Sequence, residues 1–514
     1  MNDFLKKHSD KIAGVLSCHD RVQFKGYLKR ISYAKGMQDF LASHGFRIAD
    51  FAKFVEPTAK RLTEFANELA RDSNRPILKA QSPKQEKKHA RAHTIAEKDG
   101  ITHGLVCILW AVEPCMSFQL CYGKGKPFLR NAQRKCKFFY FYFIHPEYGL
   151  IHIRLQTWFP FTIQVWINGH DWLAHQLDKN EIRYSRLQNA FSYIEDFPRT
   201  QKIADSFILK PWPEILQGLA RRVNPLLEDL LEGFEYYWVI EQSEFSTDIV
   251  FRSREDLAAL YQKLLSFSVI SLSAEDVFKF LGKKLHWAYQ GEILTELRKR
   301  LPGACVRHRV GRNTIKMYDK GGLILRIETV INDPAVFQVY RYGTRQGLRV
   351  KGWFPLRKGV GWLYRYQQIA LACNRRYLDA LTVIDDPQSA YNLLHELTRP
   401  ATYRTRRKRA LNPLSKQELT LFSAVARGSH IPRGFRNSDL LQQLYPTVSN
   451  DRKERKLLAG RVTRLIQLLR AHGLIAKIPH ARRYTMTRRG LKLMHAAIHL
   501  YKEDMPQLLN KTVA

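Results

Sequence analysis

The chain has 514 residues, too many for one ordinary domain, and its 45% hydrophobic and 12% aromatic content excludes wholesale disorder. Its 84 Lys and Arg against 47 Asp and Glu leave a formal charge of +37. A compact protein tolerates that self-repulsion best when a polyanion neutralises it, which points to nucleic acid as partner.

Seven scattered cysteines suit free thiols in a reducing compartment. Cys107, Cys115, Cys121 and Cys136 form one cluster, but it contains no CxxC and is not read as a zinc site. The first residues lack the apolar core of a signal peptide, and the most apolar run, Phe138 to Ile144, is too short to cross a bilayer. The expectation is a bacterial cytoplasmic, nucleoid-associated protein without a membrane partner.

In chain order, residues 1–78 read as a helical region, with Phe40, Leu41, Phe51, Phe54, Leu62, Phe65 and Leu69 at helical spacings. Residues 79–100 are polar and basic, a linker or arm, with a solvated surface helix as the alternative. Residues 101–234 read as an α/β module: CKFFYFYFI, LIHIRLQTWF and FTIQVWI are strands, followed by helices. Trp158, Phe159, Phe161, Trp166 and Trp172 in this aromatic-rich block suit a core, with base stacking as the alternative.

Residues 235–400 read as a second α/β module. YYWVIEQ and EFSTDIVF come first, then helices, then the strands CVRHRV, TIKMYDK, LILRIETVI and VFQVYRYG, then helix again from about 361. Gly149-Leu150-Ile151 leading to Arg154-Leu155-Gln156-Thr157 is echoed by Gly322-Leu323-Ile324 leading to Arg326-Ile327-Glu328-Thr329. Module duplication and chance likeness of two buried strands would both produce this echo. The fold class expected for this front part is α/β (α+β), with mixed or antiparallel sheets and helical insertions.

Residues 401–414 form a basic linker carrying Arg404, Arg406, Arg407, Lys408 and Arg409. Residues 415–514 give the clearest pattern. Ser415 and Glu418 make a capping box ahead of a first helix; a second short helix falls near 438–444 and a third near 453–472, closed by Gly473. LIAKIPH and RYTMT then pair as strands around Ala481-Arg482-Arg483, and TRRGLKLMHAAIHLY begins a last helix. This is the order of a winged helix-turn-helix.

The segment resembles the multiple-antibiotic-resistance-regulator class, in which a wing ending Y-x-x-T-x-x-G enters the last helix; here these are Tyr484, Thr487 and Gly490. The resemblance implies that the third helix lies in a major groove, with Arg452, Arg455, Arg461 and Arg464 facing DNA and Arg482 and Arg483 reaching from the wing. From Ala401 onward the chain holds 24 Lys and Arg against six Asp and Glu, which suits that partner.

In the middle block, Tyr318-Asp319-Lys320 followed by Leu325-Arg326-Ile327-Glu328 is similar to the Y-D-K … L-R-x-E strand pair of rolling-circle replication initiators of filamentous phages and plasmids. Alternation along that strand sets Lys316, Tyr318 and Lys320 on one face and Asp319 on the other. The resemblance implies Tyr318 as nucleophile, Glu328, Asp248 and Glu244 as ligands of Mg²⁺ or Mn²⁺, and Lys316 and Lys320 as phosphate holders. The superfamily's His-hydrophobe-His pair is missing; His152-Ile153-Arg154 comes nearest. Cys18, His19 and Asp20 are adjacent, and because consecutive side chains diverge they are not read as a triad.

The whole chain is similar to an uncharacterised bacterial family labelled as winged-helix regulators. The functional expectation is a DNA-binding protein of a mobile or replicative element, with metal-dependent strand nicking in its middle. A non-enzymatic transcriptional regulator and an RNA-binding ribonucleoprotein component are the alternatives. Duplex DNA is the expected partner, and single-stranded DNA or structured RNA the others; no nucleotide or organic cofactor is expected.

Overall fold

A computed structural model describes the chain except residues 83–84, 124, 271, 273, 284–290, 301–302, 383–393, 404–405, 427–433, 447–451, 480, 500 and 502–514. Its strands, in chain order, begin with β1 (Ile12–Tyr27), β2 (Ile77–Lys79), β3 (Gly104–Gly123), β4 (Lys126–His145), β5 (Gly149–Gln156) and β6 (Ile163–Asn168). They continue with β7 (Tyr184–Arg186), β8 (Phe191–Ile194), β9 (Tyr237–Phe251), β10 (Ile293–Arg300), β11 (Gly303–Val310), β12 (Asn313–Lys320) and β13 (Ile324–Ile331). The last six are β14 (Gln338–Arg345), β15 (Leu348–Pro355), β16 (Ala401–Tyr403), β17 (Arg406–Lys408), β18 (Ile475–Lys477) and β19 (Tyr484–Met486).

The chain divides into two compact units that interleave along the sequence. One comprises residues 10–254 and 312–374, the other residues 1–9, 255–311 and 375–514.

In the first unit, nine strands run in the order β12-β13-β9-β1-β6-β5-β4-β3-β2, antiparallel at every named pairing except β2 with β3. The blocks expected as two separate modules therefore share one mixed sheet. All eight residues of β13 are buried, as is β9 from Ser243 to Phe251 apart from a small exposed fraction at Glu244. Strands covered on both faces read as continuous rather than alternating runs.

The helical reading of the first 78 residues needs correcting, because β1 is a 16-residue strand in the middle of this sheet. Its Ser17, His19, Asp20 and Arg21 interrupt the apolar alternation that marks a strand. Helices do occupy Ala34–Ser43 and Phe51–Asp72. The basic segment after residue 79 contains a helix, Lys88–Lys98, whose buried side is only Ala92 and Ala96 packed with the β3–β4 core. Of the aromatic block, Phe159, Phe161 and Trp172 are core residues, while Trp158 and Trp166 are half-buried.

The sequence echo has a counterpart in register. Tyr140 on β4 stands opposite Arg154 on β5, which stands opposite Gln164 on β6. Tyr318 on β12 stands opposite Arg326 on β13, which stands opposite Asp248 on β9.

In the second unit, helices Lys416–Val425, Asn437–Leu444 and Arg452–Ala471 precede the β18–β19 hairpin and helix Arg488–His499. Ser415 caps the first of these: its Oγ accepts from the Glu418 amide at 3.2 Å and donates to the Glu418 carboxylate at 2.8 Å. Leu421, Phe422, Leu440, Val462, Ile466, Leu469, Leu474 and Leu493 close a common core. Among the described residues no single helix is long and apolar enough to cross a membrane.

Candidate functional site

Four carboxylates, three Lys or Arg cations and the imidazole of His170 gather in and beside the buried strands β1, β9, β12 and β13. Burying a charge is costly unless it is paired, so each pairing here carries information. Arg326 is 0% exposed and turns all three of its nitrogens toward buried acceptors. Nε and Nη2 fork onto Asp248, both at 2.6 Å; Nη2 also reaches the Asn189 carbonyl at 2.7 Å, and Nη1 lies 3.4 Å from Asp20. The same Nη2 faces His170 Nε2 at 2.9 Å. The two Nη2 hydrogens are already directed at Asp248 and Asn189, and the ring nitrogens of His170 lie 3.3 Å from Asp20 and 3.6 Å from Asp248. Burial and Arg326 oppose a charged imidazole, but Cys18, Asp20 and Asp248 outweigh them and raise its pKa well above the ordinary value.

Beside this pair, Glu328 receives Lys316 Nζ on Oε1 and the Tyr318 hydroxyl on Oε2, both at 2.5 Å. Lys320 donates to the Asn189 carbonyl at 2.7 Å. Asp319, on the opposite face, instead accepts from the Gly322 amide at 2.8 Å and pins the hairpin turn. The alternation read along β12 is thus the one observed.

Asp20 joins the cluster through a bulge. The β1–β9 register shifts between His19 and Arg21, leaving Asp20 without a cross-strand partner. Bulges re-aim side chains in this way. His19 packs instead on the rings of Phe207 and Phe245. Asp20, Glu244 and Glu328 each offer one oxygen, and these lie within 4.8 Å of one another. That spacing suits oxygen ligands around a small divalent cation.

Two further observations fit a cation there. Glu244 is 9% exposed, and among the described residues no hydrogen bond or ion pair engages its carboxylate. The Ser246 hydroxyl, buried on the same side of β9 and opposite Glu328 in register, has no partner either. Arg326, His170, Lys316 and Lys320 match the four acids in number, but Arg326 and His170 serve Asp248 and Asp20, so the Glu244 charge is left to a bound cation or a proton.

Protonation states follow this layout. Burial, reinforced by Glu328, pushes the Glu244 carboxyl up to about 7. Burial would raise Asp248 as well, but Arg326 and His170 outweigh it and hold the group at about 2. Burial also opposes ionised Asp20, and Arg326 with His170 again outweighs it, keeping the carboxyl well below its ordinary range. Burial and the Glu328 charge push the Tyr318 phenol far above its ordinary value. Burial and Arg326 bring Lys320 down to about 8, whereas Glu328 and Glu244 overcome burial and keep Lys316 charged.

Of the residues expected from the sequence, Tyr318, Lys316, Glu328 and Glu244 lie together. Asp248 belongs to the Arg326 pair, beside the three-carboxylate group rather than within it. Asp20, His170 and Asn189 were not anticipated. His170 begins a helix, Gly169–Lys179, capped by Asn168, whose Oδ1 accepts from the His170 and Asp171 amides. That Asn-Gly-His start is the only local sign of it.

The basic residues of the other unit are mostly at its surface. Arg455, Arg461 and Arg464 are exposed. At 100° per residue, Arg461 and Arg464 share a helix face with Lys453 and Lys456, while Arg455 falls on the side that buries Leu458 and Val462. Arg406, Arg407 and Arg482 are exposed. Lys408 bonds Gln467 at 3.1 Å, Arg409 pairs with Glu418 at 2.6 Å, and Arg483 donates to the Gly434 carbonyl at 3.4 Å. Arg404 and the side chain of Arg452 lie outside the described residues. No family model, curated protein or solved structure matches the chain.

Proposed function

We propose that the protein is a DNA-binding, strand-nicking endonuclease of the kind used by mobile and replicative elements, with Tyr318 as nucleophile. One observation carries this reading. The Tyr318 hydroxyl donates to Glu328, and the same carboxylate shares an ion-sized group with Asp20 and Glu244.

A phenol held far above its ordinary pKa does not ionise unaided, so it needs the base it already touches. As the bond from Tyr318 Oη to phosphorus forms, the phenolic proton passes to Glu328 and one P–O ester bond breaks. The leaving oxygen takes a proton from Lys320, whose ammonium is the more acidic for its surroundings. Lys316 supports the phosphate charge. Asp20, Glu244 and Glu328 are suited to holding Mg²⁺ or Mn²⁺, which when bound would neutralise the non-bridging oxygens. Arg326, Asp248, His170 and Asn189 are positioning residues that fix Asp20 and β13.

The C-terminal helices and hairpin support a winged helix-turn-helix that grips duplex DNA, with Arg461 and Arg464 toward the groove and Arg482 at the wing. The test is incubation of supercoiled and single-stranded DNA with the full chain and Mn²⁺. A nick and a covalent protein–DNA adduct are expected, and Tyr318→Phe should remove the adduct while leaving duplex affinity within about threefold, since no phosphate-binding charge is lost. Absence of nick and adduct in the wild type on DNA flanking its own gene overturns the proposal.

A further inference from the structure

Between Asp333 and Asp379 the chain carries nine Lys and Arg and no acidic residue. The first half of this stretch is the β14–β15 hairpin, an antiparallel two-stranded ribbon in perfect register from Gln338–Pro355 to Arg345–Leu348. Its loop is Gln346-Gly347, with φ of 51° and 79°. A two-residue loop with both φ positive matches the twist of paired strands, so the ribbon is set by its own turn.

The ribbon has two unlike faces. One is closed by its own side chains. The Phe354 ring lies across Gly343, where an added Cβ would stand 2.5 Å from it, and the Arg341 and Arg345 guanidinium groups sit 5.1 and 5.6 Å from the same ring. The other face is open. Tyr340, Tyr342 and Trp353 are 51%, 57% and 63% exposed, with Lys351 and Arg349 between and beside them. Tyr340 and Trp353 are cross-strand partners with ring centroids 5.7 Å apart. Lys351 lies 5.7 and 5.9 Å from the Tyr340 and Tyr342 rings, and Arg349 lies 5.3 Å from Tyr342.

The Tyr340–Trp353 cross-strand pair steadies the ribbon by no more than about 1 kcal/mol, and that modest gain leaves most of the surface of all three rings in water. Interleaved cations argue against an apolar partner and for an anionic one. Rings with cations at their edges match the two parts of a nucleotide: base face on ring, phosphate on Lys or Arg. Tyr340 and Tyr342, two residues apart on one strand, are about 6.8 Å apart along it. That is about twice the 3.4 Å rise of a strand in duplex DNA, so neighbouring rings suit bases spread along an unstacked strand. A duplex offers these rings no base face.

We infer that the open face of the β14–β15 ribbon binds single-stranded nucleic acid by stacking unpaired bases on Tyr340, Tyr342 and Trp353, with Lys351 and Arg349 on the phosphates. This assignment does not depend on the chemistry proposed for Tyr318.

The test uses the full chain and fluorescently labelled twenty-nucleotide oligothymidylate, with a duplex of equal length in parallel. The triple variant Tyr340→Ala, Tyr342→Ala, Trp353→Ala should bind the single strand about a thousandfold more weakly, at about tenfold per ring. Its duplex affinity should change by less than about threefold. Trp353→Phe, which keeps a stacking ring, should retain single-strand affinity within about threefold where Trp353→Ala does not, and this pair serves if the triple variant fails to fold. Undiminished single-strand binding by the triple variant, a parallel fall in duplex binding, or no single-strand binding by the wild type would each overturn the inference.

Discussion

Two hairpins of the same sheet, β4–β5 and β12–β13, set a tyrosine opposite an arginine, yet only one is surrounded by spare acid. In the first, Arg154 Nη2 reaches Glu113 at 2.8 Å, Tyr140 donates to Glu113 at 2.6 Å, and Lys88 reaches it at 2.7 Å. Two cations and a phenol converge on a single carboxylate, and the neighbouring position is the neutral Gln156, whose amide donates to the Met116 and Phe159 carbonyls. Nothing is left over. In the second, Arg326 is consumed by Asp248, Lys316 and Tyr318 meet on Glu328, and among the described residues Glu244 and Ser246 remain without partners. A charge cluster that closes on itself is structural; one that leaves a carboxylate and a hydroxyl waiting has room for a ligand.

The contrast can be broken most forcefully at Arg326. Replacing Asp248 by Asn leaves a fully buried guanidinium short of its fork, and chemical unfolding should show a loss of about 3–5 kcal/mol. A loss below about 1 kcal/mol would mean that the pair is not the keystone of this half of the sheet. Acid should act through the same group. Its folded pKa, about 2, lies below the unfolded value of about 3.9, so its contribution is present above that value and fades as pH falls toward 2. Denaturation curves from pH 5 to 2 should lose about 2–3 kcal/mol through Asp248, and Asp248→Asn should flatten that part of the profile.

Exchanging the echo tests it from the other side. Gln156→Glu supplies β5 with the acid that β13 has, but it removes two donors and buries a charge; thermal unfolding should register about 1–3 kcal/mol of destabilisation. No Mn²⁺ site should appear, because no second carboxylate pair stands by. Glu113→Gln should cost about 1–2 kcal/mol, less than Asp248→Asn, because its ring of donors borders solvent. Equal losses for the two would erase the distinction between the hairpins.

Much of this was legible along the chain. Period-two alternation fixed which side chains of β12 face Glu328, and the capping residues at Ser415 and the Gly473 stop marked the C-terminal helices closely. What escaped depended on partners distant in sequence or on local irregularity. Asp20 reaches the cluster through a bulge, which alternation treats as an error in phase. His170 and Asn189 arrive from a helix start and a hairpin loop with no periodic signal. β1 lacks a strand's apolar alternation because Ser17, His19 and Asp20 are among its buried residues. The second strand of the basic ribbon, Leu348–Pro355, mixes Gly and Pro with rings that stay in water, so neither burial nor alternation announced it. The Lys88–Lys98 helix hides only alanines.

The central claim is that Asp20, Glu244 and Glu328 hold a divalent cation. Titrating the full chain with Mn²⁺, followed by electron paramagnetic resonance of the free ion, measures this directly. Glu244→Gln is the informative variant, since no side chain depends on Glu244 for its pairing. One tight site per chain is expected in the wild type, lost in Glu244→Gln with the unfolding midpoint retained; equal Mn²⁺ uptake by both proteins, or none by the wild type, would contradict a cation site at these carboxylates.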